Sequence, residues 1–181
     1  MRDFGTLKGL AGFIFGSTFG FIVGMLLMMT SMKAEAYDAN GEAFCLAKNI
    51  YFEAGNQPLI GKVAVSHVVL NRVDSSLYPD TICDVVYQSR WRINWKGEEV
   101  PVRNKCQFSW FCDGLSDEPR DTVAWTDAMR TASDAVLLWN SSFDVTERST
   151  HYHTKQVFPK WRHTLTHTTA IDDHLFYRWE T

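Results

Sequence analysis

Residues 49–73 read NIYFEAGNQPLIGKVAVSHVVLNRV, and the break in their middle, Gly55 to Pro58, sets the architecture. Upstream of it, Phe44, Leu46, Ala47, Ile50 and Tyr51 recur at helical spacing across residues 42–54, and Gly55 supplies the stop. Pro58 stands where a second helix begins, and the apolar run continues to Val73. Its valines would also suit a strand, but the length and the proline start favour a buried helix. Asp80, in YPDTICDVVYQ, is the expected N-cap of a third, shorter helix. Residues 89–120, with Trp91, Trp95, Phe108, Trp110 and Phe111, read as a long irregular stretch, and a loop of that length is more often functional than idle. From Thr122 to about Trp139 another helix is expected, and the tail segments STHYHT and HLFYRWE alternate like short strands. The pattern predicts an α+β fold: a mainly helical domain with a few short strands near its C-terminal end.

With 181 residues, 45% of them hydrophobic and 14% aromatic, the chain suits one domain with a real core plus a short appendage. A formal net charge of -3 leaves no basic surplus for a nucleic-acid backbone, so no nucleic-acid partner is expected. The appendage comes first. Gly9 to Met32 carries no charged residue, and as a helix it would extend about 36 Å, enough to span a hydrocarbon core of about 30 Å. Arg2 and Lys8 precede it, so the flanking charge places the N-terminus in the cytoplasm and the remainder outside, in the periplasm. Two readings compete for residues 1–36. Ala34 and Ala36 form the small-x-small pattern of a cleavable signal peptide, which would release residues 37–181. The long apolar run, with Gly12, Gly16, Gly20 and Gly24 on one helical face, instead suits a signal anchor in the inner membrane that can pair with another helix.

All four cysteines, Cys45, Cys83, Cys106 and Cys112, lie beyond the apolar segment, and an even count in an exported domain favours disulfides over buried thiols. Three pairings are open. The short loop between Cys106 and Cys112 makes that pair plausible and would leave Cys45 with Cys83, without fixing the connectivity.

Glu53 is the candidate acid, set against the plainer reading of a solvated helix-end carboxylate. It lies in the last turn of the first expected helix, where the terminal carbonyls disfavour an ionised carboxylate, and Tyr51 and Phe52 beside it would add desolvation. Both effects push toward a protonated acid near neutral pH, which suits proton delivery to the leaving oxygen of a glycosidic bond.

Four blocks in order, NIYFEA, GKVAVSHVVLNRV, YPDTICDVVYQ and CQFSWFCDG, resemble the cell-wall hydrolase family typified by the spore cortex-lytic enzymes. The tail, THYHT and FYRWE, is similar to versions of that domain that bacteriophages carry as lysis enzymes, so the likeness runs over residues 43–180. The resemblance implies a lysozyme-like fold, peptidoglycan as substrate, no cofactor or metal, and the role of an endolysin. It makes Glu53 the proton donor and has Asn71, Gln107, Ser109 and Tyr152 line the glycan cleft.

One departure bears on mechanism. Most members of the family it resembles read E-A-R-G-E where this chain has EAGNQ, so Gln57 replaces the motif's second carboxylate. Ordinary glycoside hydrolysis uses two carboxylates, whereas a lytic transglycosylase lets the sugar's own 6-hydroxyl attack while one Glu serves as acid and then base. The substitution favours transglycosylation or gives Gln57 a structural role, with Asp84 and Asp113 as the remaining second carboxylates for hydrolysis. Two other readings stand. His151 and His153, with His163, His167 and His174, would serve a zinc-dependent amidase or endopeptidase, although no HExxH occurs and the spacings fit no familiar ligand pattern. A disulfide-stapled module that binds glycan without cleaving it is the third, with Trp91, Trp95, Trp110 and Phe111 as stacking rings.

Overall fold

Helix α1 fills residues 41–54 and ends at Gly55, a position that only glycine fits, because a Cβ there would stand 2.4 Å from the Tyr51 carbonyl oxygen. The computed structural model describes residues 41–141 and 143–180. Among them no helix is long and apolar enough to cross a membrane. The expected membrane segment, with Gly12, Gly16, Gly20 and Gly24, lies outside the described residues.

Helix α2 spans Leu59–Val73, as the proline start and the apolar run predict. It buries Ala64, Val65, Val68, Val69 and Leu70, so α2 is the central element of the domain. Helix α3 is short, Ile82–Val86, and its N-cap is Thr81, whose hydroxyl accepts from the Asp84 amide. The expected cap, Asp80, is one residue too early. Glu42 of α1 adds a second cap by accepting from the Ile82 and Cys83 amides at 2.6 and 3.3 Å. Helix α4 spans Thr122–Leu137, with the Asp121 carboxylate accepting from the Val123 and Ala124 amides. The Tyr51 hydroxyl, accepting from the Arg120 and Asp121 amides at 3.0 Å each, ties the start of α4 to α1.

The stretch expected to be irregular contains an antiparallel hairpin, β1 (Ser89–Ile93) paired with β2 (Glu99–Cys106). Both strands are largely exposed on both faces, so no alternation of apolar and polar residues announces them. Pro101, which reads as a breaker, is tolerated because each strand of a two-stranded sheet has a free edge. A second sheet has the order β3-β5-β4, all antiparallel, from β3 (His151–Thr154), β4 (Thr166–Ile171) and β5 (His174–Arg178). The fold is mixed helix and strand rather than mainly helical with strands only at its end.

Two apolar clusters hold these parts together. The larger gathers Leu46, Ala47 and Ile50 of α1, Val69 and Leu70 of α2, all three buried residues of α3, and Ala128 and Ala132 of α4. The smaller sets Ala64 and Val68 of α2 against Phe176 of β5, docking the three-stranded sheet on the central helix. Lys62 of α2 forms an ion pair with Asp127 of α4.

The disulfides are Cys45–Cys83, joining α1 to α3, and Cys106–Cys112, closing β2 onto a short 3-10 turn, Ser109–Cys112. The loop they close differs in length, 38 against 6 residues of separation. Chain entropy therefore assigns about 4 kcal/mol to the first and about 2 kcal/mol to the second. Denaturant unfolding of the two paired Cys→Ser variants is expected to show the larger loss for Cys45/Cys83; equal losses would contradict this ranking.

Candidate active site

Glu53 opens from the last turn of α1 into a cleft of about 460 Å³ walled by Phe52, Ser109, Trp110, Asp113, Tyr152, His153, Thr154, Val157 and His174. The helical layer supplies one wall and β3 with β5 the other. Across the cleft the Tyr152 hydroxyl donates to Glu53 Oε2 at 3.0 Å, joining residues 99 apart in sequence. Phe52 stacks on Trp110 at 4.8 Å between ring centroids, and the Trp110 indole N–H donates to Asn49 Oδ1 at 3.1 Å. The floor beside the acid is therefore aromatic and fixed.

Burial drives the Glu53 carboxyl above its ordinary value of 4.5, against the opposing Tyr152 hydrogen bond and the positive charge of Arg72. Burial, rather than the helix end, is the leading cause. Phe52 contributes to the cleft wall, but Tyr51 turns its hydroxyl to the amides at the start of α4. Tyr152 is itself pushed well above the usual phenol range by burial and the adjacent carboxyl, so its hydroxyl keeps the proton it shares with Glu53.

Arg72 is the strongest feature that the sequence reading passes over, although it sits in the LNR block beside Asn71. It is only 5% exposed. Its Nε donates to the Thr150 carbonyl at 2.8 Å, and its guanidinium lies over the Phe108 and Tyr78 rings at 5.1 and 5.4 Å. A buried cation near Glu53 stabilises the carboxylate that proton donation would create. Nothing in the sequence distinguishes it from a solvated arginine.

The sequence model of the cell wall hydrolase family matches residues 56–177. The chain belongs to that family. Spore cortex-lytic enzymes of Oceanobacillus iheyensis and Bacillus subtilis are 44% and 36% identical over 45 and 50 residues. These stretches are 25% and 28% of this chain, and the chain spans only 16% of either relative's length. The crystal structure of the catalytic domain of the Bacillus cereus SleB protein shares the fold, with a TM-score of 0.55 and 24% identity over 76% of this chain and 89% of that one. The family match begins after Glu53, so the reading of that residue rests on the cleft itself and on the YFEA block.

Within this cell wall hydrolase the structure brings Glu53, Ser109 and Tyr152 to one cleft. Gln107 lies elsewhere, in a shallow pocket with Gln88, Arg90 and Lys105 at the base of the hairpin. Asn71 spends its amide on Asp144 Oδ2, Thr146 Oγ1 and the Ser149 carbonyl, and Glu53 is not among its partners. Gln57 donates to Asp173 Oδ2 at 3.1 Å, in the turn between β4 and β5, where a glutamate would meet a second carboxylate. Of the two alternative acids, Asp113 lines the cleft while Asp84 is bonded to Thr81 at the start of α3. Among the described residues no three His, Cys, Asp or Glu side chains converge as a metal site would need. His151 and His153 do share a face, both against Trp161, but His153 uses its two ring nitrogens on the Thr154 carbonyl and the Tyr177 hydroxyl. Of the stacking candidates, Trp110 walls the cleft, Trp91 packs on Phe111, and Trp95 is exposed.

A raised Glu53 pKa has a thermodynamic sign. The folded state keeps a proton that the unfolded chain releases above about pH 4.5, so this group's contribution is most favourable in acid and is lost as pH rises toward its folded value. Glu53→Gln is expected to raise the melting temperature at pH 7 and to give a smaller gain at pH 4. A destabilised variant at pH 7 would show that the carboxyl is not under desolvation strain.

Proposed function

We propose that the protein cleaves peptidoglycan glycan strands between N-acetylmuramic acid and N-acetylglucosamine, with Glu53 as general acid. The observation that carries this reading is the half-buried Glu53 carboxyl, held above its ordinary pKa and positioned by the Tyr152 hydroxyl at the wall of an aromatic cleft. Oε2 accepts from Tyr152, leaving Oε1 to carry the transferable proton.

In the first step that proton passes to the glycosidic oxygen as its bond to the muramic C1 breaks. The Glu53 carboxylate so formed keeps the Tyr152 hydrogen bond and faces the field of Arg72. In the second step it takes the proton of the muramic 6-hydroxyl while that oxygen bonds to C1, closing a 1,6-anhydro ring. One carboxylate suffices. Gln57, engaged with Asp173, has no part in this chemistry. Hydrolysis would instead need a second carboxylate to activate water, and Asp113, which lines the cleft, is the candidate for it.

The compartment belongs to the same proposal. Two disulfides in the catalytic domain and the uncharged Gly9–Met32 segment support export, with the domain in the periplasm either tethered to the inner membrane or released. The tail blocks THYHT and FYRWE support the lysis role of a phage endolysin.

Mass spectrometry of fragments released from sacculi by the full-length, oxidised protein tests the mechanism. Anhydro-muramic ends that disappear in Glu53→Gln are expected, a loss of at least about a hundredfold for removal of a general acid. Reducing ends lost in Asp113→Asn would establish hydrolysis, and free stem peptides released independently of Glu53 would contradict glycan cleavage.

A further inference from the structure

A second pocket, of about 250 Å³, is lined by two arginines, Arg148 and Arg178, together with Trp179 and Thr150. It shares its scaffold with the cleft. Along β5, His174, Phe176 and Arg178 leave the strand on one face, because side chains alternate. His174 lines the cleft, Phe176 packs beneath Tyr152, and Arg178 lines the pocket. The four-residue step from His174 to Arg178 is about 13 Å, a distance that a strand of a few sugars bridges.

The loop bearing Arg148 is built with unusual care. Glu147 and Arg148 are consecutive non-glycine residues with φ of 53° and 61°, a conformation that costs free energy and persists only where the surroundings impose it. Asp144 imposes it. Its carboxylate accepts from the Thr146 amide and hydroxyl, from the Arg148 amide and from the Asn71 side chain. Arg178 completes the frame by donating from Nη1 to the Glu147 carbonyl at 3.1 Å. Asn71 is thereby explained as a brace for this loop. The pocket's one carboxylate, Glu180, stands 3.9 Å from Arg178 Nε, beyond hydrogen-bond reach, and Arg148 has no ion-pair partner among the described residues. Two cations against one anion leave a positive excess beside a half-exposed indole face.

We infer that this pocket is an anion subsite for the substrate, in which Arg148 and Arg178 hold a carboxylate of the wall's peptide stems while the glycan crosses the Glu53 cleft. Guanidinium pairs suit planar carboxylates, and Trp179 offers a stacking face to an adjoining sugar. The inference rests on the glycan-cleaving reading for its substrate, but its test does not need catalysis.

Binding of soluble glycan fragments to full-length Glu53→Gln protein, measured by calorimetry, separates the two. Fragments with intact stems are expected to bind more tightly than the same glycans without stems or with amidated stem carboxylates. Adding Arg148→Gln should cut that preference about tenfold, the scale of one charge-assisted hydrogen bond, and Arg148→Lys should keep most of it. Equal affinity for all three ligands, or a preference that survives Arg148→Gln, would overturn the subsite. Stem-dependent binding by a protein whose wild type releases nothing from sacculi would leave the subsite standing and remove the glycan-cleaving function.

Discussion

The hydrogen bond from Tyr152 to Glu53 is the contact on which the rest of the site depends. It joins the end of α1 to β3 and so fixes the distance between the helical layer and the three-stranded sheet at the point where a cleft remains open. Packing on either side serves that junction. Phe176 under Tyr152 seats the sheet on α2, while Phe52 against Trp110 stiffens the opposite wall. A tyrosine whose own pKa is driven up by burial remains a donor at any physiological pH, so the glutamate is oriented whether it is protonated or ionised.

Three influences set the acid's strength, and they do not agree in sign. Burial raises the carboxyl, whereas the Tyr152 hydroxyl and the Arg72 charge lower it, and burial prevails. Such a balance suits the role proposed for Glu53, giving up a proton and later taking one back. Desolvation alone would make Glu53 a reluctant donor, and the two opposing contacts stabilise the carboxylate left behind. Arg72 can act this way because its backbone and ring contacts hold it in place: the Thr150 carbonyl fixes Nε, and Phe108 and Tyr78 cover the guanidinium.

The helical half of the fold was legible because its signals are local. Gly55 and Pro58 bracket the join between α1 and α2, and the apolar spacing of residues 59–73 describes a helix that the structure reproduces to the residue. The hairpin was illegible for a physical reason: neither face of β1 or β2 is buried, so the sequence carries no period of two to read. Strand β4 hid likewise in THTTAI, whose small polar residues mark no inward face. At the site, the helix end beside aromatics marked Glu53 only as a candidate; the YFEA block of the resemblance made it the proton donor, and the burial that raises its pKa is a product of tertiary packing. Tyr152 entered only through the resemblance, since no local pattern links positions 99 residues apart. Asn71 and Gln107 came the same way, and the structure sets both outside the Glu53 cleft, one bracing a strained loop and the other at the hairpin base. The burial of Arg72 and the hub at Asp144 are products of tertiary packing, which residue type alone does not disclose.

Proton delivery by Glu53 requires the fold to keep its carboxyl protonated beyond the range of an ordinary glutamate. Carbon-detected NMR titration of that carboxyl in the full-length, oxidised protein measures it directly. A midpoint clearly above 4.5, moving higher when Tyr152→Phe removes the opposing hydrogen bond, is the predicted result. A midpoint at or below 4.5 would contradict it, because a glutamate ionised throughout the neutral range has no proton to deliver.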